Sequence, residues 1–324
     1  MSYRLWRASL PALLLSLAPL SAYSAPAEVS LDYAYYSPSS LVIKDQGWLE
    51  DRFASEGTRV KWVLSRGSNN SLEFLNSGAT QFALTSSISA FVSRANGQPV
   101  KTVYSYLWAE PSALLVAADS DITEFDDIRD KRIAATKGTD PYFFLLRALQ
   151  ANGLSASDVR IVHLQHPEGR TALEQGRVDV WAGLDPHMAA SEAAGVRFLY
   201  RNPDFGLAAF LNTSEQFLAE EPEAVEIVLA AYERARQWIL DNPQQTAELI
   251  ARETSLPVDV IKLQLGRYDF SRPLPGTAHL DAIRPVIPLL QGENILRRNA
   301  DADAALNSLL ATDIAQHVIE DASQ

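Results

Sequence analysis

The feature that most constrains this chain is a phrase repeated along its first two-thirds. A short apolar run is followed by a turn of small hydroxyl or glycine residues, then by an amphipathic helix. The clearest instance lies at 133–149. Residues 133–135 are apolar, Lys137-Gly138-Thr139-Asp140 is a polar turn, and Pro141 opens a helix with Phe144, Leu145, Ala148 and Leu149 on one side. The phrase also occurs at 59–77, through Ser65-Arg66-Gly67-Ser68-Asn69-Asn70, and at 81–96, through Thr85-Ser86-Ser87. Strands that alternate with helices predict α/β architecture, each sheet mostly parallel with helices on its faces.

The rest of the chain extends that grammar. Residues 29–35 alternate with period two, 40–53 read as a helix interrupted by Gly47, and 100–106 read as a fourth strand. A second unit begins after Glu110-Pro111. Its strands are expected at 113–118, 132–135, 159–164 and 178–182, and its helices at 124–129, 141–151 and 169–175. The chain leaves this unit between Asn202-Pro203 and Leu211. Residues 213–320 read as almost wholly helical. Glu220-Glu221-Pro222-Glu223 places acids and a proline where a helix start favours them.

Arg4 and Arg7 precede an apolar segment at 8–20, and small residues end near Ala25-Pro26-Ala27. A basic start, an apolar stretch too short to span a bilayer and a small-residue cleavage zone predict a signal peptide over 1–27. The expected destination is the periplasm. The chain has no Cys, which excludes a lipid-attached cysteine and disulfides. Its net charge is −12, and removing two Arg with the leader gives −12 − 2 = −14. So acidic a protein is a poor partner for nucleic acid or an anionic membrane.

The strand-to-helix junctions carry the chemistry. The first N–H groups of a helix have no partner within it, and with the helix dipole they favour a negative group. Hydroxyls beside them donate without adding net charge. One such junction is explained by helix capping alone. Three, split over two units, point to an oxyanion held at the strand ends of an open sheet. Charge-assisted bonds of about 1.5–3 kcal/mol each suffice for micromolar binding, about −8 kcal/mol.

The element order, together with "TSSISA", "ATKGTDPYFFLLRAL" and "GRVDVWAGLDPHMAA", resembles the periplasmic binding proteins of aliphatic-sulfonate, taurine and nitrate ABC importers, across roughly 29–320. The resemblance implies a two-lobed periplasmic binding protein type II fold with a helical C-terminal region. It implies a first lobe of 28–111 plus 208–324 and a second of 112–207. It places ligand contacts at Tyr35, Tyr36 and Ser37, at Ser68 and Asn69, at Ser86 and Ser87, at Gly138 and Thr139, and in the loop Asp185-Pro186-His187. It also implies partnership with an inner-membrane permease and its ATPase, with the binding protein acting as a monomer.

Several residues depart from that pattern. Tyr35-Tyr36-Ser37-Pro38 stands where a glutamine is frequent, and Leu184 where an aromatic is. Arg66 has no counterpart and adds a charged donor. Tyr35, Tyr36, Trp108 and Tyr142 suggest an aryl-walled cleft for an apolar tail. Asp140 would repel an anion unless it only caps its helix, and Asp185 reads as a cap for the loop before Pro186. His163 and His166 have metal-like spacing, but three residues apart on a strand they point to opposite faces. No metal site or cofactor is expected. The ligand expected is a small organosulfur oxyanion, an alkyl or aryl sulfonate or a sulfate ester. The alternatives are taurine, nitrate or another small ligand, or a periplasmic enzyme, a hydrolase or pyrimidine-synthesis-like protein, on the same scaffold. A further alternative is a sensing protein with a collapsed cleft.

Overall fold

The computed structural model describes residues 25–110 and 112–323. All but the last three residues of the expected leader lie outside that range. The chain opens with β1 (Glu28–Tyr33), α1 (Pro38–Gln46), α2 (Trp48–Ala54), β2 (Arg59–Leu64), α3 (Ser68–Asn76), β3 (Phe82–Ser86), α4 (Ser87–Ala95) and β4 (Val100–Ala109). It crosses to β5 (Ser112–Val116), β6 (Arg132–Ala135), α5 (Asp140–Ala151), β7 (Arg160–His163), α6 (His166–Glu174), β8 (Val180–Leu184), α7 (His187–Ala193) and β9 (Arg197–Tyr200). It then returns as β10 (Leu207–Ser214).

The helical remainder is α8 (Glu215–Glu220), α9 (Pro222–Asp241), α10 (Pro243–Thr254) and α11 (Val258–Leu265), then a two-residue strand β11 (Tyr268–Asp269). It ends with α12 (Thr277–Ile283), α13 (Ile287–Gly292), α14 (Ala302–Asn307) and α15 (Asp313–Ala322).

Two sheets result. The first has the order β11-β4-β10-β3-β1-β2, the second β7-β6-β8-β5-β9. The parallel grammar holds where strand and helix alternate, with β1 parallel to β2 and β3, and β6 parallel to β7 and β8. Strands beside the two crossings break it. β10 enters antiparallel between β3 and β4, and β5 lies antiparallel to both β8 and β9. Both sheets are therefore mixed rather than mostly parallel. The sequence reading of 206–211 as connecting chain is corrected too, since β10 is an inner strand of the first sheet.

Both faces of the second sheet are covered, so alternate residues enter opposite cores. Leu114, Ile133, Ala135 and Val180 pack on Phe144, Leu145 and Leu149 of α5. Leu115, Ala134 and Trp181 pack on Leu173 of α6 and Met188 of α7. In the first sheet the period-two pattern of β1 marks a buried polar face instead of a solvent face. Ser30 and Asp32 are buried with Val29 and Leu31. The helical reading of 213–320 is interrupted between α14 and α15, because Thr102 takes the backbone of 309–311: its N–H donates to the Leu309 carbonyl at 2.9 Å and its carbonyl accepts from the Ala311 N–H at 2.9 Å. Among the described residues no helix is long and apolar enough to cross a membrane.

Candidate functional site

The C-terminal ends of β2, β3, β6 and β7 each lead through a short turn into a helix, and residues at the starts of α3, α4, α5 and α6 line one cavity between the lobes. The first lobe contributes Tyr36, Gly67, Ser68 and Ser86, over a floor of Tyr106, Leu107, Ala109, Ala209 and Tyr268 with Leu207 at the crossing between the lobes. The second contributes Thr139, Asp140, His166 and Leu184. The cavity encloses about 50 Å³, several times the roughly 10–15 Å³ that one water needs. None of the described residues lining it is Lys or Arg.

Hydrogen bonds tie the helix starts together. The Ser86 N–H donates to Ser68 Oγ at 3.0 Å, which fixes α4 against α3. Ser86 Oγ accepts from the Ser89 N–H at 3.1 Å and so caps α4. The Ser89 hydroxyl then donates across the lobes to the Gly138 carbonyl at 2.9 Å. Behind them Asp32, fully buried, accepts from Ser71 Oγ at 2.5 Å and from the Leu84 N–H at 2.9 Å. The Tyr36 hydroxyl meets Ser65 Oγ at 3.3 Å and Ser71 Oγ at 3.5 Å, which sets its ring on the cavity wall. Burial pushes the Asp32 carboxyl up to about 6, against the bonds it accepts from Ser71, Ser65 and Leu84.

Lobe-to-lobe approach is close. A Cβ built on Gly67 would lie 3.2 Å from His166 Nε2 and 3.2 Å from Thr139 Cγ2, both on the opposite lobe. Arg66 pairs with Glu168 at the rim. Arg267, which follows α11, donates to both Asp185 oxygens at 2.8 and 2.9 Å and also pairs with Glu192. Asp185 additionally accepts from the Ala189 N–H at 2.9 Å. The lobes are thus closed on each other.

Of the residues singled out in the sequence, the structure brings Tyr36, Ser68, Ser86 and Thr139 to the cavity. Tyr35, Arg66 and His187 line a separate outer hollow, where Tyr35 and His187 meet edge-on at 4.8 Å. Ser37 is fully buried as the N-cap of α1 and accepts from the Ser40 N–H. Ser87 is fully buried with its hydroxyl unpartnered. Asn69 lies beside Gly67, and Gly138 (φ +82) engages Ser89 through its carbonyl. Trp108 packs edge-on against His279 at 5.5 Å, and Tyr142 against Phe143. The four aromatics therefore do not form one wall. Asp185 accepts from the Ala189 N–H within α7 rather than from the loop before Pro186, and its carboxylate is also committed to Arg267.

His166 and Asp140 are the residues that local reasoning misjudged. His166 is the first residue of α6 rather than a strand residue, and it is fully buried. Burial pushes its pKa down to about 3, helped by His187 and Arg66. Thr139 occupies the N-cap of α5, so Asp140 is the next residue, with Oδ1 buried and unpartnered. Burial pushes its carboxyl up to about 7, against the Ser86 hydroxyl and Arg147. Among the described residues no group of three or more His, Cys, Asp or Glu could hold a metal ion.

Residues 40–246 match the profile of the family described as NMT1/THI5 like. A protein of Escherichia coli K12, provisionally named for binding aliphatic sulfonates, is 28 % identical over 289 residues, 86 % of this chain and 87 % of the relative. The alkanesulfonate-binding protein SsuA of Xanthomonas axonopodis pv. citri, solved bound to MOPS, superposes with a TM-score of 0.81 at 24 % identity, over 90 % of this chain and 100 % of that one. The periplasmic aliphatic sulphonate binding protein SsuA of Escherichia coli gives 0.73 at 24 %, over 87 % and 97 %. The fold is that of the periplasmic binding proteins.

Proposed function

This chain belongs to the NMT1/THI5-like family, and from that premise we propose that it is the periplasmic solute-binding component of an ABC importer for a small organosulfur oxyanion. The observation that carries the reading is that four helix starts, drawn from both lobes, line one cavity. Unpaired first-turn N–H groups and hydroxyls there suit a sulfonate or sulfate-ester head. The lobes that close on it are 28–111 plus 208–324 and 112–207, and the leader at 1–27 directs export. Binding and closure are the whole mechanism, and the closed form is what a permease with its ATPase reads. His166 Nε2 has no hydrogen bond to either cavity serine.

A thermal-shift screen of alkyl and aryl sulfonates, sulfate esters, taurine and nitrate tests the reading. A ligand at one hundred times its Kd adds about 2.7 kcal/mol, a shift of several degrees. At least one organosulfur oxyanion should give that shift and be recovered unchanged. No shift with any of them, or turnover of a sulfate ester, overturns the proposal.

A further inference from the structure

The cavity wall contains one side chain whose role the helix starts do not explain. Thr139, not Asp140, is the N-cap of α5, and Asp140 Oδ1 is buried with no hydrogen-bond partner. Two hydroxyls of the same junctions donate elsewhere, Ser89 to the Gly138 carbonyl at 2.9 Å and Thr139 to the Thr136 carbonyl at 2.7 Å. None of the described residues lining the cavity is Lys or Arg. An ionised Asp140 would therefore set acceptor against acceptor and charge against like charge when an oxyanion enters, with little solvent to screen either. The neutral carboxyl removes both conflicts, because its O–H is a donor and its bond to an oxyanion is short and charge-assisted. Burial already pushes this carboxyl up to about 7, against the Ser86 hydroxyl and Arg147, so the free protein holds both forms near neutral pH.

The other titratable and charged groups around Asp140 keep their state there. His166, from α6, is pushed down to about 3 by burial and is neutral. Burial raises the hydroxyls of Tyr36, of Tyr106 in β4 and of Tyr268 in β11, so they stay protonated. Arg147, two turns along α5, donates to the Phe205 carbonyl at 3.2 Å. Asp185, at the end of β8, is held by Arg267, and Arg66 pairs with Glu168 at the rim. From β10 only Leu207 and Ala209 reach the cavity. Asp32 also titrates near 6, but within its own bonds to Ser71 and Leu84 behind Tyr36.

We propose that Asp140 binds the oxyanion as a neutral carboxylic acid, donating its O–H to a ligand oxygen, so that the protein takes up its anion together with a proton. The inference rests on the function proposed above, since it needs an oxyanion in this cavity. Where Asp140 is ionised beforehand, one proton comes from solvent for each anion bound. No covalent bond to the ligand forms or breaks. Because binding favours the protonated acid, affinity is full below the carboxyl's own titration and is lost as pH rises through it.

Calorimetric titration with ethanesulfonate, benzenesulfonate and methyl sulfate, which keep one negative charge throughout, tests it in sulfonate-free buffers. Between about pH 6 and about pH 8.5 wild-type affinity should fall at least tenfold. A pH-stat at about pH 8 should record uptake of close to one proton per ligand bound. Asp140→Asn, an isosteric stand-in for the neutral acid, should show neither effect and should bind more tightly than the wild type at about pH 8.5. A melting curve shows whether the variant is folded, and the pH-stat on the wild type decides the matter if it is not. Equal wild-type affinity at the two pH values, or a decline that persists in folded Asp140→Asn, overturns the inference and leaves the function standing. Binding of none of the three at about pH 6 also overturns it, and when the whole thermal-shift screen is silent too, the function falls with it.

Discussion

Asp32 shows what one buried carboxylate does for the cavity. It holds Ser71, in α3, and the Leu84 amide, in β3, so the strand and helix carrying Ser86 and Ser68 share one anchor. Its folded pKa of about 6 lies above the ordinary 3.8, so the folded state binds the proton more tightly than the unfolded chain. The contribution to stability is full below about pH 4, falls as pH rises to about 6 and is flat beyond, a loss on the order of 3 kcal/mol. Urea melts across pH 4–7 should show that slope in the wild type and not in Asp32→Asn. Identical profiles would show that Asp32 does not titrate in this way. Asp32→Ala should cost at least about 2 kcal/mol at pH 5, because it orphans the Leu84 amide and the Ser71 hydroxyl. Residues of this kind were partly legible. Ser68, Ser86 and Thr139 declare themselves by sitting at a strand-to-helix turn. His166 did not, because a helix that begins at His166-Pro167 looks, locally, like the tail of the preceding strand.

At the scale of elements, the junctions were legible because their signals are local: glycine, hydroxyls, and a proline in the first turn. The antiparallel strands were not, since nothing within 207–214 announces that it will slot between β3 and β4. Ser89 was missed for a related reason: its bond to Gly138 exists only when two helices from different lobes meet. Another such meeting is at Gly67, whose backbone is extended and accepts any residue, but whose Cβ position lies 2.9 Å from Asn69 Oδ1 in its own lobe and 3.2 Å from His166 and Thr139 across the cleft. Gly67→Leu should therefore leave each lobe folded and hold the lobes apart. Its unliganded melting temperature should change by no more than a degree or two. Affinity for the organosulfur oxyanion that the thermal-shift screen identifies should fall at least tenfold, about 1.4 kcal/mol. Calorimetry showing wild-type affinity would mean that binding does not require these helix starts to approach.

The whole molecule is a pair of lobes held by unequal contacts. Arg66 and Glu168 are each about half exposed, and such a pair contributes about 0–1 kcal/mol. Arg267 and Asp185 are 9 % and 2 % exposed, and removing one partner of a buried pair costs about 3–5 kcal/mol. The two residues lie on opposite lobes, so that cost falls on closure rather than on either core. In small-angle scattering, Arg267→Ala should have a larger radius of gyration than the wild type, while Arg66→Ala should not. A lowered melting temperature with unchanged dimensions would place the pair's role within the folding of the chain.

The most direct test of how this protein holds its ligand is the anomalous scattering of bromine in crystals grown with 2-bromoethanesulfonate. A peak between the lobes, flanked by Tyr36, Ser68 and Thr139, is the expected result. A peak in the outer hollow beside Tyr35, Arg66 and His187, with the inner cavity empty, would contradict it.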